Sequence, residues 1–233
     1  MIAANSIDRA PVAWLFRSLG RGIIVAAWTI LALAAAFAVF YGARFCHAAS
    51  SPAKTTIKTV SVALLALAAA AMDAPPLVTL GLALGAAGDF FLSLRGERAF
   101  LAGMVAFAAG HLAYAAAFVA AGGGVPGLAV LVPLLALGAS TEVWLAPHTG
   151  ALRWPVRGYV LVILVMAAAA FGQPLGAVTL GAGLFVLSDF ILALDIFRYG
   201  PDRPNAWRAR ALWAAYWSGQ ALILLGMAGA FGA

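Results

Sequence analysis

Gly85-Ala86-Ala87-Gly88-Asp89-Phe90-Phe91-Leu92-Ser93-Leu94 and, one hundred residues later, Phe185-Val186-Leu187-Ser188-Asp189-Phe190-Ile191-Leu192-Ala193-Leu194 decide the reading of this chain. Both contain small-Asp-Phe-x-Leu-x-Leu, and each lies in a membrane-length run with almost no other charge. A carboxylate at the centre of a bilayer costs roughly 2.5–3.5 kcal/mol on insertion scales and is usually kept for function. The repeated context predicts that Asp89 and Asp189 face one cavity as a paired-carboxyl site.

The composition around them is that of a membrane protein. Of 233 residues, 65% are hydrophobic and 9% charged, against about 25% charged in soluble domains. No polar stretch is long enough for a separate soluble domain. The expected organisation is an all-α, polytopic bundle over residues 22–233. It is preceded by residues 1–21, which read equally as a tail or an interfacial helix. The formal charge of +6 sits in short loops, where it sets orientation; no nucleic-acid partner is expected. The single cysteine, Cys46, excludes an intramolecular disulfide.

At roughly 20 residues per span, eight transmembrane helices are predicted, near 22–42, 58–73, 76–94, 100–121, 125–144, 155–172, 175–194 and 208–231. The loops on the side opposite the N-terminus hold Arg44, Lys54, Lys58, Arg95, Arg98, Arg153, Arg157, Arg198, Arg203, Arg208 and Arg210, 11 of the 14 basic residues. The positive-inside rule makes that side cytoplasmic. The expected location is an integral, multi-pass membrane protein, in the inner membrane if the cell is bacterial. Four spans separate the two aspartate helices, so both run the same way, which suggests a parallel 4+4 internal repeat.

Depth along the helices gathers further candidates. At about 1.5 Å per residue, Asp89 and Asp189 both lie roughly 8 Å below the basic side. Lys58 opens the second span. Phe100, Gly103, Phe107, His111 and Tyr114 share a face of the fourth, with His111 roughly 16 Å deep. Tyr159 lies early in the sixth span, Ser188 precedes Asp189, and Tyr216 and Gln220 share a face of the eighth. Each has a plainer reading. Tyr159 and Tyr216 fit an interfacial belt, Lys58 a snorkelling anchor, His111 and Gln220 an interhelical hydrogen bond, and the aspartates an interhelical hydrogen bond or an ion pair with Lys58. Gly81, Gly85 and Gly88 on one face of the third helix read as a close-approach surface. There is no HExxH, Cys/His cluster, P-loop or dinucleotide fingerprint, so neither metal nor cofactor is expected.

In order and spacing these residues resemble the YhhN-like lysoplasmalogenases. The match is carried by Gly88-Asp89 with Leu92, Phe100-x2-Gly103-x3-Phe107-x3-His111-x2-Tyr114, Pro155 and Tyr159, Gly181-Ala182-x2-Phe185-x2-Ser188-Asp189, and Tyr216-x3-Gln220. Lys58-Thr59 departs from the Lys-Pro of many relatives, and the first 50 residues carry no family signal. The resemblance implies eight spans and hydrolysis of the vinyl-ether bond of a lysophospholipid, releasing a fatty aldehyde and glycerophosphoethanolamine or glycerophosphocholine. That chemistry needs a proton donor to carbon, a group that stabilises an oxocarbenium ion, and a base for water. Two buried carboxyls in unlike surroundings can divide these tasks. On this reading Asp89, Asp189 and His111 are catalytic. Lys58, Tyr114, Tyr159, Ser188, Tyr216 and Gln220 bind substrate, with Lys58 or a loop arginine on the phosphate. Which aspartate is the acid stays open, as do head-group preference and oligomeric state. Two rivals remain: a proton-coupled transporter or lipid-binding protein using the same aspartates, and an intramembrane aspartyl protease, whose Gly-x-Gly-Asp motif fails at Ala87.

Overall fold

A computed structural model of the protein describes residues 10–200 and 205–229. Arg9, Arg203 and the expected end of the eighth span at residue 231 lie outside the described residues. Among the described residues eight α-helices follow one another: α1 (Ala10–Arg44), α2 (Pro52–Ala71), α3 (Pro76–Ser93), α4 (Glu97–Ala120), α5 (Leu128–Trp144), α6 (Arg153–Phe171), α7 (Ala177–Ala193) and α8 (Ala206–Met227). Short 3-10 turns at Ala146–His148 and Gly150–Leu152 join α5 to α6. A π-helical turn, Leu194–Tyr199, extends α7. No strand occurs among the described residues.

Seven of these helices are long and apolar enough to cross a membrane. The eighth, α8, carries Arg208 and Arg210 in its first turns and buries Trp213, Tyr216, Gln220 and Leu224. It packs on α7 and also touches α1, α2 and α3. A helix surrounded by protein does not need the apolarity that lipid demands of an outer one. The exposed faces of the outer helices carry large apolar side chains, among them Leu67, Leu80, Val105 and Leu112.

Three boundaries differ from the sequence expectation in ways that matter for the site. The first helix is continuous from Ala10, so the segment before residue 22 is helical from that point on. The second begins at Pro52 rather than 58, because the Ser51 side chain accepts from the Lys54 N–H and Pro52 stands at the first helical position. Lys54 Nζ also donates to the carbonyls of Ala48 and Cys46, at 2.6 and 3.4 Å, tying this start to the end of α1. Lys58 is therefore about 9 Å inside its helix. The seventh helix does not stop at 194 but turns on to Tyr199, which sets Asp189 about 15 Å from its end. Asp89 lies about 6 Å from the end of α3, with no such extension beyond it.

Pairwise packing repeats between the halves. Helix α3 packs along α4 as α7 packs along α8, and α1–α2 and α2–α3 have counterparts in α5–α6 and α6–α7. The repeat reaches single residues. Gly81 and Gly181 each precede their aspartate by eight positions. A Cβ on Gly110 would lie 3.1 Å from the Gly81 carbonyl, and one on Gly219 only 2.8 Å from that of Gly181. Both helix pairs therefore cross at backbone contact, which small residues permit. The halves part company at Gly85 and Gly88, whose counterparts are Phe185 and Ser188.

Candidate active site

Asp89 is fully buried near the end of α3. Lys58 Nζ from α2 stands 2.8 Å from its Oδ1. The Tyr216 hydroxyl from α8 donates to its Oδ2 at 2.8 Å. Glycine shapes the space beside it. A Cβ on Gly88 would meet the Phe107 ring at 2.6 Å, and one on Gly85 would meet Gln220 Oε1 at 2.7 Å. The absence of side chains at these positions lets Phe107 and Gln220 lie against α3. Tyr114 then donates to Gln220 Oε1 at 3.1 Å, completing a polar layer of α3, α4 and α8. Lys58, expected on a substrate phosphate, is committed here to a carboxylate.

Asp189 has different company. His111 Nε2 from α4 is 3.3 Å from its Oδ2. The Tyr159 hydroxyl from α6 is 3.3 Å from the same nitrogen. The Phe185 ring, one helical turn before Asp189, packs edge-on to the imidazole with centroids 4.5 Å apart. His111 Nδ1 is buried with no protein partner. Ser188 turns away, its hydroxyl donating at 2.7 Å to the Phe185 carbonyl of its own helix. The side chain of Asp189 is 11% exposed against 1% for Asp89, so Asp189 is the more accessible of the two.

Aromatic rings stand between these clusters. Phe185 and Phe107 both pack edge-on against Tyr216, with centroids 5.3 and 5.8 Å away. Beyond them lies a partly open cavity of about 110 Å³ among α3, α4, α5, α6, α7 and the π turn, narrower than a typical ligand pocket. Asp189 and Tyr159 are in its lining. Asp89, His111, Lys58, Tyr114, Ser188, Tyr216 and Gln220 are not. The expectation that both aspartates face one cavity therefore holds for Asp189 but not for Asp89. Phe107 fills the space that Gly88 leaves, and it is Phe107 that lines the cavity at that point.

The cavity wall is otherwise almost wholly apolar, and among the described residues no lysine or arginine lines it. Helix α5 supplies Leu137, Gly138, Thr141 and Trp144, none of them singled out by motif. Trp144 closes the gap to α7 by an edge-on contact with Phe190, centroids 5.2 Å apart. Only the apolar run of α5 hinted at this role, because lining a cavity asks for shape rather than for a residue pattern. Among the described residues no group of three or more His, Cys, Asp or Glu side chains is placed to hold a metal ion.

The residues so assembled lie on α2, α3, α4, α6, α7 and α8, and the model of the YhhN family matches residues 53–227, which contain all of them. The chain belongs to the YhhN family. Membership and seven long apolar helices together make it an integral, multi-pass membrane protein. No curated protein and no solved structure matches it. The family match begins at the start of α2, so α1 stands outside the YhhN region although Tyr41 and Ala38 of α1 are buried in the same core.

Proposed function

We propose that this YhhN protein hydrolyses the vinyl-ether bond of a lysophospholipid, with Asp189 as the acid–base group. The observation that carries this reading is a carboxyl, braced by His111 and Tyr159, set into the wall of an otherwise apolar cavity. The apolar wall, open on one side, suits contact with an alkenyl chain. The carboxyl suits the one polar event in the reaction. Protonated Asp189 gives its proton to the vinyl carbon distal to oxygen. The resulting oxocarbenium ion faces the carboxylate left behind. That carboxylate takes a proton from water as the water oxygen attacks the cation. The hemiacetal then collapses to aldehyde and glycerophospho-alcohol. One water is consumed and Asp189 ends protonated as it began.

His111 is a positioning group, holding the carboxyl through Nε2. Asp89 is charge-balanced by Lys58 and bonded by Tyr216, which suits a scaffold for α3, α2 and α8 rather than a proton donor. Partners on this reading are a lysophospholipid substrate and the surrounding membrane lipids.

The test is release of aldehyde from 1-alkenyl-lysophosphoethanolamine by purified protein in nanodiscs, where no ion gradient exists. Aldehyde and glycerophosphoethanolamine should appear in equal amounts, and Asp189→Asn should abolish both. Folded protein that makes no aldehyde, yet moves lipid in proteoliposomes under a pH gradient, would establish a proton-coupled carrier instead.

A further inference from the structure

The cavity beside Asp189 holds about 110 Å³, whereas small-molecule pockets run to roughly 300–1,000 Å³. A chain that enters must therefore displace part of the wall. The exposure of the lining residues shows which part. Phe107 of α4 and Val156 and Ile163 of α6 are buried. Leu137 of α5, Phe190 of α7 and Ile196 of the π turn line the cavity and are also 37–38% exposed. A side chain that does both stands at a rim. The rim runs on into the outer apolar surface, through Leu135 and Val143 of α5 and Leu187 of α7. In an integral membrane protein that surface meets lipid. The cavity thus faces the bilayer sideways, between α5 and α7.

Helix α5 is also the wall best able to give. It packs mainly on α6 and the first 3-10 turn, and among its described residues only Leu134 is buried. Its counterpart α1 runs along α2, touches α8 and buries Ala27, Ala34, Ala38 and Tyr41. Toward α6 the helix is held. Arg157 Nε donates to Glu142 at 2.8 Å, and Gly138 comes so near Leu164 that a Cβ there would overlap it. Toward α7 the contact is Trp144 on Phe190, edge-on with centroids 5.2 Å apart. The Arg198 guanidinium donates to the Trp144 carbonyl at 3.2 Å, which fixes the backbone at that point. The indole hydrogen-bonds within its own helix, Nε1 donating to Ser140 Oγ at 3.1 Å. Opening therefore needs rotation of two rings and slight give in α5, whose interior Pro133 donates no backbone hydrogen bond. No helix has to leave the bundle.

We propose that Trp144 and Phe190 are the two leaves of a lateral portal through which the apolar chain of a bilayer lipid enters the cavity. Asp189 immediately precedes Phe190 and lines the cavity behind it, so a chain that passes the rings arrives near the carboxyl. Trp144 is the last residue of α5, at the basic side of the bundle. Tryptophan is favoured at that level of a membrane, where a lipid anchored by its head group presents its chain. The occupant is a chain rather than a polar solute because the lining is apolar but for a few groups, those of Thr141, Tyr159 and Asp189 among them. The portal goes beyond the reaction proposed above and rests on that reading only for treating the chain as substrate.

The experiment combines Trp144→Cys and Phe190→Cys in a Cys46→Ala background, in the whole protein in nanodiscs. A bifunctional methanethiosulfonate about as long as the removed rings joins the two thiols, and reductant releases them. The probe is a saturated 1-O-alkyl lysophosphoethanolamine with a diazirine in mid-chain, which carries no vinyl bond and is not turned over. After illumination, adducts are mapped on Phe107 and Ile163 in the cavity wall and, as a control, on the exposed Val105 and Leu161. Wild type and the unbridged variant should be labelled at all four. Bridging should abolish labelling of Phe107 and Ile163, keep that of Val105 and Leu161, and be reversed by reductant. Trp144→Ala alone should speed cavity labelling by about 2–10-fold, as loss of an aromatic pair does. Cavity labelling that survives bridging, or that is unchanged in Trp144→Ala, means the chain enters elsewhere and overturns the portal. Labelling of the outer residues alone in wild type overturns it too. Aldehyde release is followed in parallel with the vinyl-ether lipid. Cavity labelling blocked by bridging, in a wild-type protein that makes no aldehyde, upholds the portal and rejects the hydrolase. Aldehyde formed as fast after bridging as before upholds the hydrolase and rejects the portal.

Discussion

Lys58→Met should destabilise the protein more than Asp89→Asn, and the double variant should cost less than the sum of the two. The reason is the unequal burial of the pair: the Asp89 side chain is 1% exposed and that of Lys58 19%. Removing the lysine strands a carboxylate that has only Tyr216 left. Breaking a buried pair from one side costs about 3–5 kcal/mol. At roughly 2–4 °C per kcal/mol for a chain of this size, Lys58→Met should lower the melting temperature in detergent by at least about 6 °C. Asp89→Asn leaves an ammonium that can still reach solvent along its flexible stem, and asparagine can still accept from Tyr216, so its loss should be smaller. With both charges gone, the coupling recovered should be on the order of 2 kcal/mol, far above the roughly 0.3–0.5 kcal/mol error of additivity. The assay is a thermal melt of the four proteins in one detergent. Additive losses, or a larger loss for Asp89→Asn, would show that Lys58 does not neutralise Asp89. The same variants bear on substrate binding: Lys58→Met that folds should leave lipid affinity little changed, because the lysine is not in the cavity wall.

His111→Ala should reduce aldehyde turnover by about 10²–10⁴, as loss of an acid–base helper does, with a smaller effect on KM; near-normal turnover would make the histidine a packing residue. Gly181→Ala should be worse for stability than Gly85→Ala, because the new Cβ meets the Gly219 carbonyl at 2.6 Å in the first case and the movable end of Gln220 at 2.7 Å in the second; equal melting temperatures would contradict the backbone crossing. In a Cys46→Ala background, cysteines at Ser51 and Asn205 should react from the cytoplasmic side, following the distribution of 11 of 14 basic residues; modification of both only from the other side would invert the bundle.

Much of the architecture was legible in the sequence alone because a bilayer imposes a simple rule. Each span must satisfy its own backbone, so apolar runs of the right length become helices. Eight helices, their order, the repeated Asp-Phe motif and the basic side all follow from that. The glycine face of α3 was also readable, since contact between helices inside a membrane selects small residues. Helix ends were less so: Ser51 starts α2 early and the π turn lengthens α7, and both depend on local hydrogen bonds that hydropathy does not register. What only the tertiary structure decided is the division of labour between two near-identical motifs. The same Asp-Phe-x-Leu-x-Leu sits behind Gly85 and Gly88 in one half and behind Phe185 and Ser188 in the other. In the first half the glycines admit Phe107 and Gln220, and Asp89 is sealed against Lys58 and Tyr216. In the second, Phe185 packs on His111 and leaves Asp189 at the cavity wall. Which space a missing side chain opens, and which neighbour fills it, is set by packing among helices distant in sequence, and no local pattern encodes it.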